Sequence, residues 1–318
     1  MNRGLALAAG LGLVALVTWA SLALGTLASA GEAGAYGTAV IWDLRWPRTL
    51  TGLAVGSALG AAGCLLQALT RNPLADPSIL GVNAGAAFAI VGAVTLFRAA
   101  DPTVLFLVAL AGAAGASTLV WVLGSGGRGD ASPVRLALAG VVLTALLGSW
   151  TSAVLLQDNQ SLDTVRTWLA GSLAGRGLPL LGALAPWWAA GLVAALALAR
   201  SLDVMGLGDE SARALGLRVT LVRQATLATV IGLTAVAVSL AGPIGFIGLA
   251  VPHLARALAG PNLTRNLPFG LVLGPLLLVG ADVVGRLVIA PSEVPVGIVT
   301  AAVGAPFLVA LAVRGRRR

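Results

Sequence analysis

The chain has 318 residues, of which 58% are hydrophobic and 10% charged, and its mean hydropathy is +0.96. A water-soluble domain carries about 25% charged residues. This composition therefore excludes a protein whose whole surface meets water, and it predicts a polytopic membrane protein of the all-α class. The formal net charge of +8 comes from arginines scattered between apolar segments, a pattern that argues against nucleic-acid binding.

Ten apolar segments follow one another along the chain, each near the ~20 residues that a helix needs to cross a bilayer. They cover approximately residues 4–24, 49–69, 79–97, 103–123, 134–156, 179–199, 220–241, 244–258, 268–288 and 295–313. The first is longer than the apolar region of a signal peptide, about 7–15 residues, and we interpret it as a retained span. The eighth is short and contains Pro252, which indicates a broken or tilted helix. The stretch 157–178 allows one additional short helix.

Two polar features flank the second apolar segment. Arg45 and Arg48 stand one helical turn apart before it, and a turn containing Asn72, Pro73 and Leu74 follows it. A simple anchor helix needs neither feature, so the arginines indicate a partner at one end and the rigid turn indicates a gate or hinge at the other. The alternatives are arginines at the lipid headgroups and an ordinary turn between spans.

Small residues recur on one face of the same segment. Gly56, Gly60 and Gly63 share roughly one side of the predicted helix, and small residues allow helix backbones to approach closely in lipid. We therefore predict tight helix packing there. Cys64 is the single cysteine and is expected to be a buried packing residue.

The longest polar interruption covers residues 203–223. Asp209 and Glu210 favour the beginning of a helix, and Gly216 is a natural stop. We predict a short amphipathic helix at the inner membrane surface, and its regularity favours docking of a cytoplasmic partner over an ordinary loop helix.

The distribution of arginine orients the spans. With the N-terminus in the cytoplasm, fourteen of the 20 basic residues fall on the cytoplasmic side. The external residues are Arg45, Arg48, Arg98, Arg166, Arg176 and Arg286. We therefore predict that both termini are cytoplasmic and that residues 1–318 form a single membrane domain.

Several kinds of chemistry are missing from the sequence. It has no phosphate-binding loop motif and no Cys/His cluster, so we expect neither an enzyme nor a bound cofactor or metal. The single histidine, His253, is expected to make an interhelical hydrogen bond. Acidic residues, Asp282 among them, fall near the ends of the predicted spans, which weakens a proton-coupled mechanism.

The chain resembles the FecCD-type permeases of type II ABC importers, which carry ferric siderophores, haem or cobalamin across the bacterial inner membrane. The resemblance covers nearly the whole chain and rests on motifs in the family's order. These are Arg45-Trp46-Pro47-Arg48; Gln67 with Arg71-Asn72-Pro73-Leu74-Ala75-Asp76-Pro77; Leu80-Gly81-Val82 with Gly85-Ala86; Trp168 with Gly171-Ser172-Leu173; Gly208 to Gly216; Gly242 to Leu249 with Pro252-His253 and Arg256; Ala281-Asp282 with Arg286; and Val294 to Ile298 with Gly304-Ala305-Pro306-Phe307.

The resemblance implies three groups of site residues. Residues Arg45, Arg48 and Arg286 would face outward and pair with glutamates of a substrate-binding protein, as exposed arginines suit carboxylates. Residues at a cytoplasmic gate would be Asn72, Pro73 and Leu74. Residues that contact the ATPase subunit would be Gly208, Asp209, Glu210, Ala212, Arg213 and Gly216. A second gate element, in the loop before the fifth span, carries small hydroxyl residues in some relatives. The corresponding stretch here is Ser132-Pro133-Val134, which departs from that pattern.

The resemblance also implies the partners and the cargo. The permease would pair with a second permease subunit, identical or paralogous, and with two subunits that bind ATP and Mg. Its cargo would be a metal chelate of the siderophore type, because the segment from Arg166 to Arg176 looks more like siderophore permeases. Cobalamin or haem import is the alternative within the family. A secondary transporter and a non-transporting membrane subunit are the alternatives outside it.

Overall fold

The computed structural model describes residues 3–24, 40–97, 101–125, 133–156, 168–175 and 177–315, and within these ranges it contains helices and no strand. In chain order the α-helices are α1 Arg3–Ala23, α2 Trp46–Thr70, α3 Val82–Phe97, α4 Pro102–Ser125, α5 Pro133–Leu155, α6 Leu178–Met205, α7 Asp209–Ala214, α8 Val219–Ala241, α9 Ile247–Ala259, α10 Leu263–Val288 and α11 Val296–Gly315. A π-helical segment, Val40–Arg45, precedes α2, and a short 3₁₀-helix, Pro77–Leu80, precedes α3.

The helices confirm the predicted all-α membrane bundle. Seven are long and apolar enough to cross a membrane, and three apolar helices in the described part of the chain are shorter. Together they correspond one to one with the ten predicted segments. The additional helix allowed at 157–178 lies largely outside the described residues, as do Arg98, Arg166, Arg176 and Ser132.

Two helix boundaries differ from the sequence prediction. Helix α2 begins at Trp46, so Arg48 lies in its first turn rather than before the span. Pro47 occupies one of the first helical positions, where the missing N–H of proline costs nothing. Helix α6 continues to Met205, so Asp203 belongs to it and not to the loop. Its carboxylate accepts hydrogen bonds from the backbone N–H groups of Leu263, at 2.5 Å, and Thr264, at 3.0 Å, and so caps α10.

Helix α2 is the central helix, buried along nearly its whole length. Its glycine face packs as predicted. A Cβ on Gly56 would lie 2.6 Å from the carbonyl group of Gly274, and one on Gly60 would lie 2.5 Å from the oxygen of Gly270, both on α10. A Cβ on Gly63 would overlap the carbonyl oxygen of Gly248 on α9. Cys64 is buried within the same contact.

The short eighth segment is also confirmed. Helix α9 has 13 residues, about 20 Å at ~1.5 Å per residue, against a hydrocarbon core of about 30 Å. The chain breaks before it, where Gly242 and Phe246 have φ angles of 75° and 77°. The ring of Phe246 packs directly over Gly304 of α11, which holds this bend inside the protein as the bilayer requires.

Candidate functional site

Polar side chains gather at two opposite ends of the bundle. Helix α2 has 25 residues, about 37 Å at ~1.5 Å per residue, and it carries Arg48 near one end and leads into Arg71 at the other. The Arg48 end also contains Arg45 and Arg286, and the other end contains the Asn72–Leu74 turn and α7. The structure therefore groups the predicted site residues as the arginine distribution indicated.

At the Arg48 end, four charged side chains form an arginine cluster: Arg48, Asp282, Arg286 and Glu293. Arg48 donates from Nε to both oxygens of Asp282, at 3.1 and 3.0 Å, and from Nη2 to Oδ1 at 2.8 Å. Its Nη1 lies 2.7 Å from Glu293 Oε2. Arg286 Nη2 lies 3.1 Å from Asp282 Oδ2, one helical turn away. Two positive and two negative charges thus balance within the cluster.

The first helix completes this end. Arg286 donates to the backbone oxygens of Ser21, at 2.9 Å, and Leu24, at 3.2 Å. Arg45 donates to the oxygens of Leu22, at 2.7 Å, and Ala23, at 3.2 Å. These carbonyls belong to the last turn of α1 or follow it, where no intrahelical donor is available. Both arginines therefore tie the end of α1 to the bundle.

The expectation that all three arginines are exposed is wrong in this structure. The side chain of Arg286 is 3% exposed and that of Arg48 is 12% exposed, because both form ion pairs with carboxylates inside the bundle. Arg45 is half-buried. Docking of a partner protein on these residues stays a prediction. Sequence reasoning missed the acidic partners, although the four-residue spacing of Asp282 and Arg286 on one helix was an available signal.

At the opposite end, the Asn72–Leu74 turn is exposed and locally stiff. The Asn72 side-chain oxygen accepts a hydrogen bond from the Leu74 N–H at 2.9 Å, which is a side-chain-stabilised turn. Gln67, buried in α2, donates to the oxygens of Ala75 at 3.0 Å and Leu249 at 3.3 Å. Leu74 is 54% exposed and borders a cavity of about 490 Å³ beside Phe246. The turn is thus anchored on one side and open on the other.

The predicted short helix is present as α7, Asp209–Ala214. Gly208 and Gly216 flank it with φ angles of 112° and 82°, conformations that glycine adopts without strain. Ala212 is fully buried against the bundle, whereas Glu210 and Arg213 are exposed. Leu207 and Leu215, next to the helix, are 69% and 68% exposed. The helix therefore rests on the bundle by one side and presents mixed charged and apolar side chains on the other.

Asp209, the first residue of α7, is paired with two arginines. Its Oδ1 lies 2.7 Å from Arg71 Nη2, and its Oδ2 lies 2.7 Å from Arg223 Nη2. Desolvation raises the pKa of this carboxyl, but the hydrogen bonds and charges of Arg223 and Arg71 outweigh it, so the pKa lies below its usual range. Asp209 is therefore ionised at neutral pH. No local sequence pattern relates Arg71 or Arg223 to this carboxylate.

The described residues contain no group of three or more His, Cys, Asp or Glu side chains that could hold a metal ion. Among the described residues, His253 has a hydrogen-bond partner on its own helix and not the interhelical one expected for it. Arg256, one turn further along α9, donates to its Nδ1 at 3.2 Å, and its ring packs edge-on against Phe307 at 6.2 Å. The histidine is thus part of the packing between α9 and α11.

Comparison with known proteins agrees with this architecture. Residues 5–314 match the profile of the FecCD transport family. The chain is 46% identical over 279 residues to FepD, the ferric enterobactin transport system permease protein of Escherichia coli K12, covering 87% of this chain and 83% of that protein. It is 41% identical over 277 residues to FecD, the Fe(3+) dicitrate transport system permease protein of the same bacterium, covering 87% and 86%.

A solved structure supports the same assignment. A metal-chelate type ABC transporter in an inward-facing conformation superimposes with a TM-score of 0.87 at 29% identity, covering 97% of this chain and 98% of that one. The polytopic bundle, its ten apolar helices and the sequence match over nearly the whole chain lead to one conclusion: this protein is a multi-pass transport permease that belongs to the FecCD family.

Proposed function

We propose that the chain is the permease subunit of an ATP-driven importer in the bacterial inner membrane, which passes a ferric siderophore or similar iron chelate into the cytoplasm. The observation that carries this proposal is the near-complete match to permeases named for iron-chelate transport, at 46% identity for the enterobactin protein. A cobalamin permease, BtuC of Halobacterium salinarum, is 38% identical over 272 residues. The higher identity to the enterobactin permease favours an iron chelate over cobalamin as the cargo.

The partners follow from the two ends of the bundle. The arginine-rich end suits an acidic, extracytoplasmic binding protein, because guanidinium groups pair well with carboxylates. The exposed face of α7 suits a cytoplasmic ATPase subunit, which would bind ATP and Mg. Two such ATPases and a second permease, identical or paralogous, would complete the transporter. The excess of arginine on the α7 side supports a cytoplasmic location for it and for both termini.

The polar turn supports a gate. An exposed leucine, Leu74, stands on a turn that Pro73 and the Asn72 side chain stiffen. A stiff turn with an apolar tip can close against its counterpart in a second permease and withdraw as a unit. Alternating access then requires that ATP and the binding protein shift the balance between closed and open arrangements.

The buried carboxylate does not favour a secondary transporter. Asp282 is 2% exposed but contacts Arg48 and Arg286. A proton carrier needs a carboxylate that releases and takes up protons during the cycle. Both oxygens of Asp282 already pair with guanidinium groups, so the carboxylate serves as a structural ion-pair partner in this arrangement. ATP-driven transport is therefore the better interpretation.

The proposal is tested by uptake of ⁵⁵Fe-siderophore into proteoliposomes that contain the permease, its ATPase and its binding protein. We expect uptake that requires internal ATP and the binding protein and that persists when a protonophore collapses the proton gradient. Uptake driven by the proton gradient without ATP would instead establish a secondary transporter. A stable complex that lacks any ATPase would point to a non-transporting subunit.

Docking gives a second expected result. Replacing Arg45 and Arg48 together by glutamine should weaken binding of the substrate-binding protein, most strongly at low salt, because charge steers association and salt screens it. The matched control is Arg265→Gln, an exposed arginine in the first turn of α10 at the opposite end. Affinity can be measured on permease in nanodiscs. Equal affinities of the double variant and the control would remove these arginines from the docking surface.

A further inference from the structure

Arg71 connects the end of α2 to two other helices. It follows the last residue of α2 and directly precedes the Asn72–Leu74 turn, with a φ of 51°. Its Nη2 donates to the backbone oxygen of Met205 at 2.5 Å and to Asp209 Oδ1 at 2.7 Å. The guanidinium therefore binds the last residue of α6 and the first residue of α7 at once.

The second oxygen of Asp209 extends this connection. Arg223, in the second turn of α8, donates to Oδ2 at 2.7 Å. One carboxylate thus joins α7 to the end of α2 and to the start of α8. Hydrogen bonds between ionised groups are shorter and stronger than neutral ones. The side chains of Arg223 and Asp209 are 18% and 29% exposed, so solvent screens this contact only in part.

Helix α7 is otherwise suited to move as a unit. Glycines flank it at both ends, and it contains only six residues. A displacement of α7 must therefore either carry Arg71 with it or break the Arg71–Asp209 ion pair. Because Asn72 is the next residue after Arg71, a shift of the guanidinium acts on the beginning of the Asn72–Leu74 turn.

We propose that the Arg71–Asp209–Arg223 ion-pair bridge transmits movement of α7 to the Asn72–Leu74 turn, with Arg71 and Arg223 as positioning residues. The inference rests on the proposed function, since it requires that an ATPase moves α7 and that the turn acts as a gate. It adds the physical route between them. The route runs through one carboxylate on the protein surface and does not pass through the helix core.

The test follows the reactivity of a cysteine on the turn. Leu74→Cys is introduced with Cys64→Ala, and the complete transporter with its ATPase is reconstituted. The labelling rate of the cysteine by a charged, membrane-impermeant maleimide is measured with and without a non-hydrolysable ATP analogue. In this background we expect the nucleotide to change the rate. Arg71→Gln, and separately the near-isosteric Asp209→Asn, should abolish that change.

A double-mutant cycle and a control make the result specific. If both residues act through one contact, Arg71→Gln with Asp209→Asn should have no larger effect than either substitution alone. Arg218→Gln, an exposed arginine at the beginning of α8, should keep the full nucleotide response. The labelling rate without nucleotide and the thermal stability of the Arg71 variant should stay near the reference, which separates transmission from folding.

Two outcomes would contradict the inference in different ways. A full nucleotide response in both the Arg71 and the Asp209 variants would show that the bridge does not transmit the movement, and the proposed function would stand. No nucleotide response in the reference background, with the ATPase bound, would show that the turn is not a nucleotide-driven gate. The proposed gating would then fail, and the inference with it.

Discussion

Replacing Asp282 by alanine is expected to lower the free energy of unfolding of the permease by about 3–5 kcal/mol, the usual cost of removing one partner from a buried ion pair. The carboxylate is 2% exposed and forms ion pairs with both Arg48 and Arg286. Without it, the guanidinium of Arg286, 3% exposed, remains buried beside Arg48, another positive charge, with no carboxylate directly between them. Unfolding by SDS titration of the purified protein would measure the loss.

The neighbouring Glu293 provides a matched control. It also pairs with Arg48, but its side chain is 34% exposed, and exposed pairs contribute about 0–1 kcal/mol. Glu293→Gln should therefore cost far less than Asp282→Ala. A double variant, Asp282→Ala with Arg286→Met, should recover part of the loss because the buried charge goes with its partner. Equal costs for Asp282→Ala and Glu293→Gln would contradict the burial argument.

Gly63→Ala should also destabilise the protein strongly, by about 3 kcal/mol, near the upper end of typical overpacking costs. The added methyl group would overlap the carbonyl oxygen of Gly248, which is backbone and cannot rotate away. Helices α2 and α9 would have to separate, and the Asp76–Pro77 segment, which packs on Gly248, would shift with them. We expect a lower melting temperature and less folded protein in the membrane.

Gly232→Ala is the control for helix glycines. Gly232 lies within α8, and a Cβ built there has no atom within 4 Å. Because alanine is the better helix former, this substitution should be neutral or stabilising by about 0.5–1 kcal/mol. The two substitutions add the same methyl group, but only Gly63→Ala should lower the melting temperature. A similar effect of both on melting temperature would mean that the close approach at Gly63 does not limit packing.

The internal ion pairs of the arginine cluster constrain how a partner protein could dock at this end of the bundle. Arg48 already donates to Asp282 and Glu293, so an incoming carboxylate must share or replace an internal one. The Arg286 side chain is only 3% exposed, and its hydrogen bonds to Ser21 and Leu24 hold the end of α1. Arg45 is half-buried and donates to the backbone oxygens of Leu22 and Ala23. Any measured loss of docking in an Arg286 variant would therefore need a stability measurement beside it.

Composition and local patterns predicted the bundle well because the bilayer imposes them on each segment separately. A crossing helix must be long, apolar and internally hydrogen-bonded. The face of Gly56, Gly60 and Gly63 was readable because a helix repeats every 3.6 residues and places these positions on one side. Pro252 and the short apolar run likewise indicated that α9 is a short helix. Each of these signals lies within a single helix.

The charge pairs between different helices were not readable, because they join residues that local patterns cannot relate. Arg71 and Asp209 are 138 residues apart, and Arg48 and Asp282 are 234 residues apart. Only the packing of whole helices determines which ends meet. Helices α2 and α10 run antiparallel and touch where Gly56 faces Gly274. Arg48 and Asp282 lie eight residues from those glycines in the same direction along the bundle, about 12 Å at ~1.5 Å per residue. The close contact of two glycines therefore sets the register that buries Asp282 between two arginines.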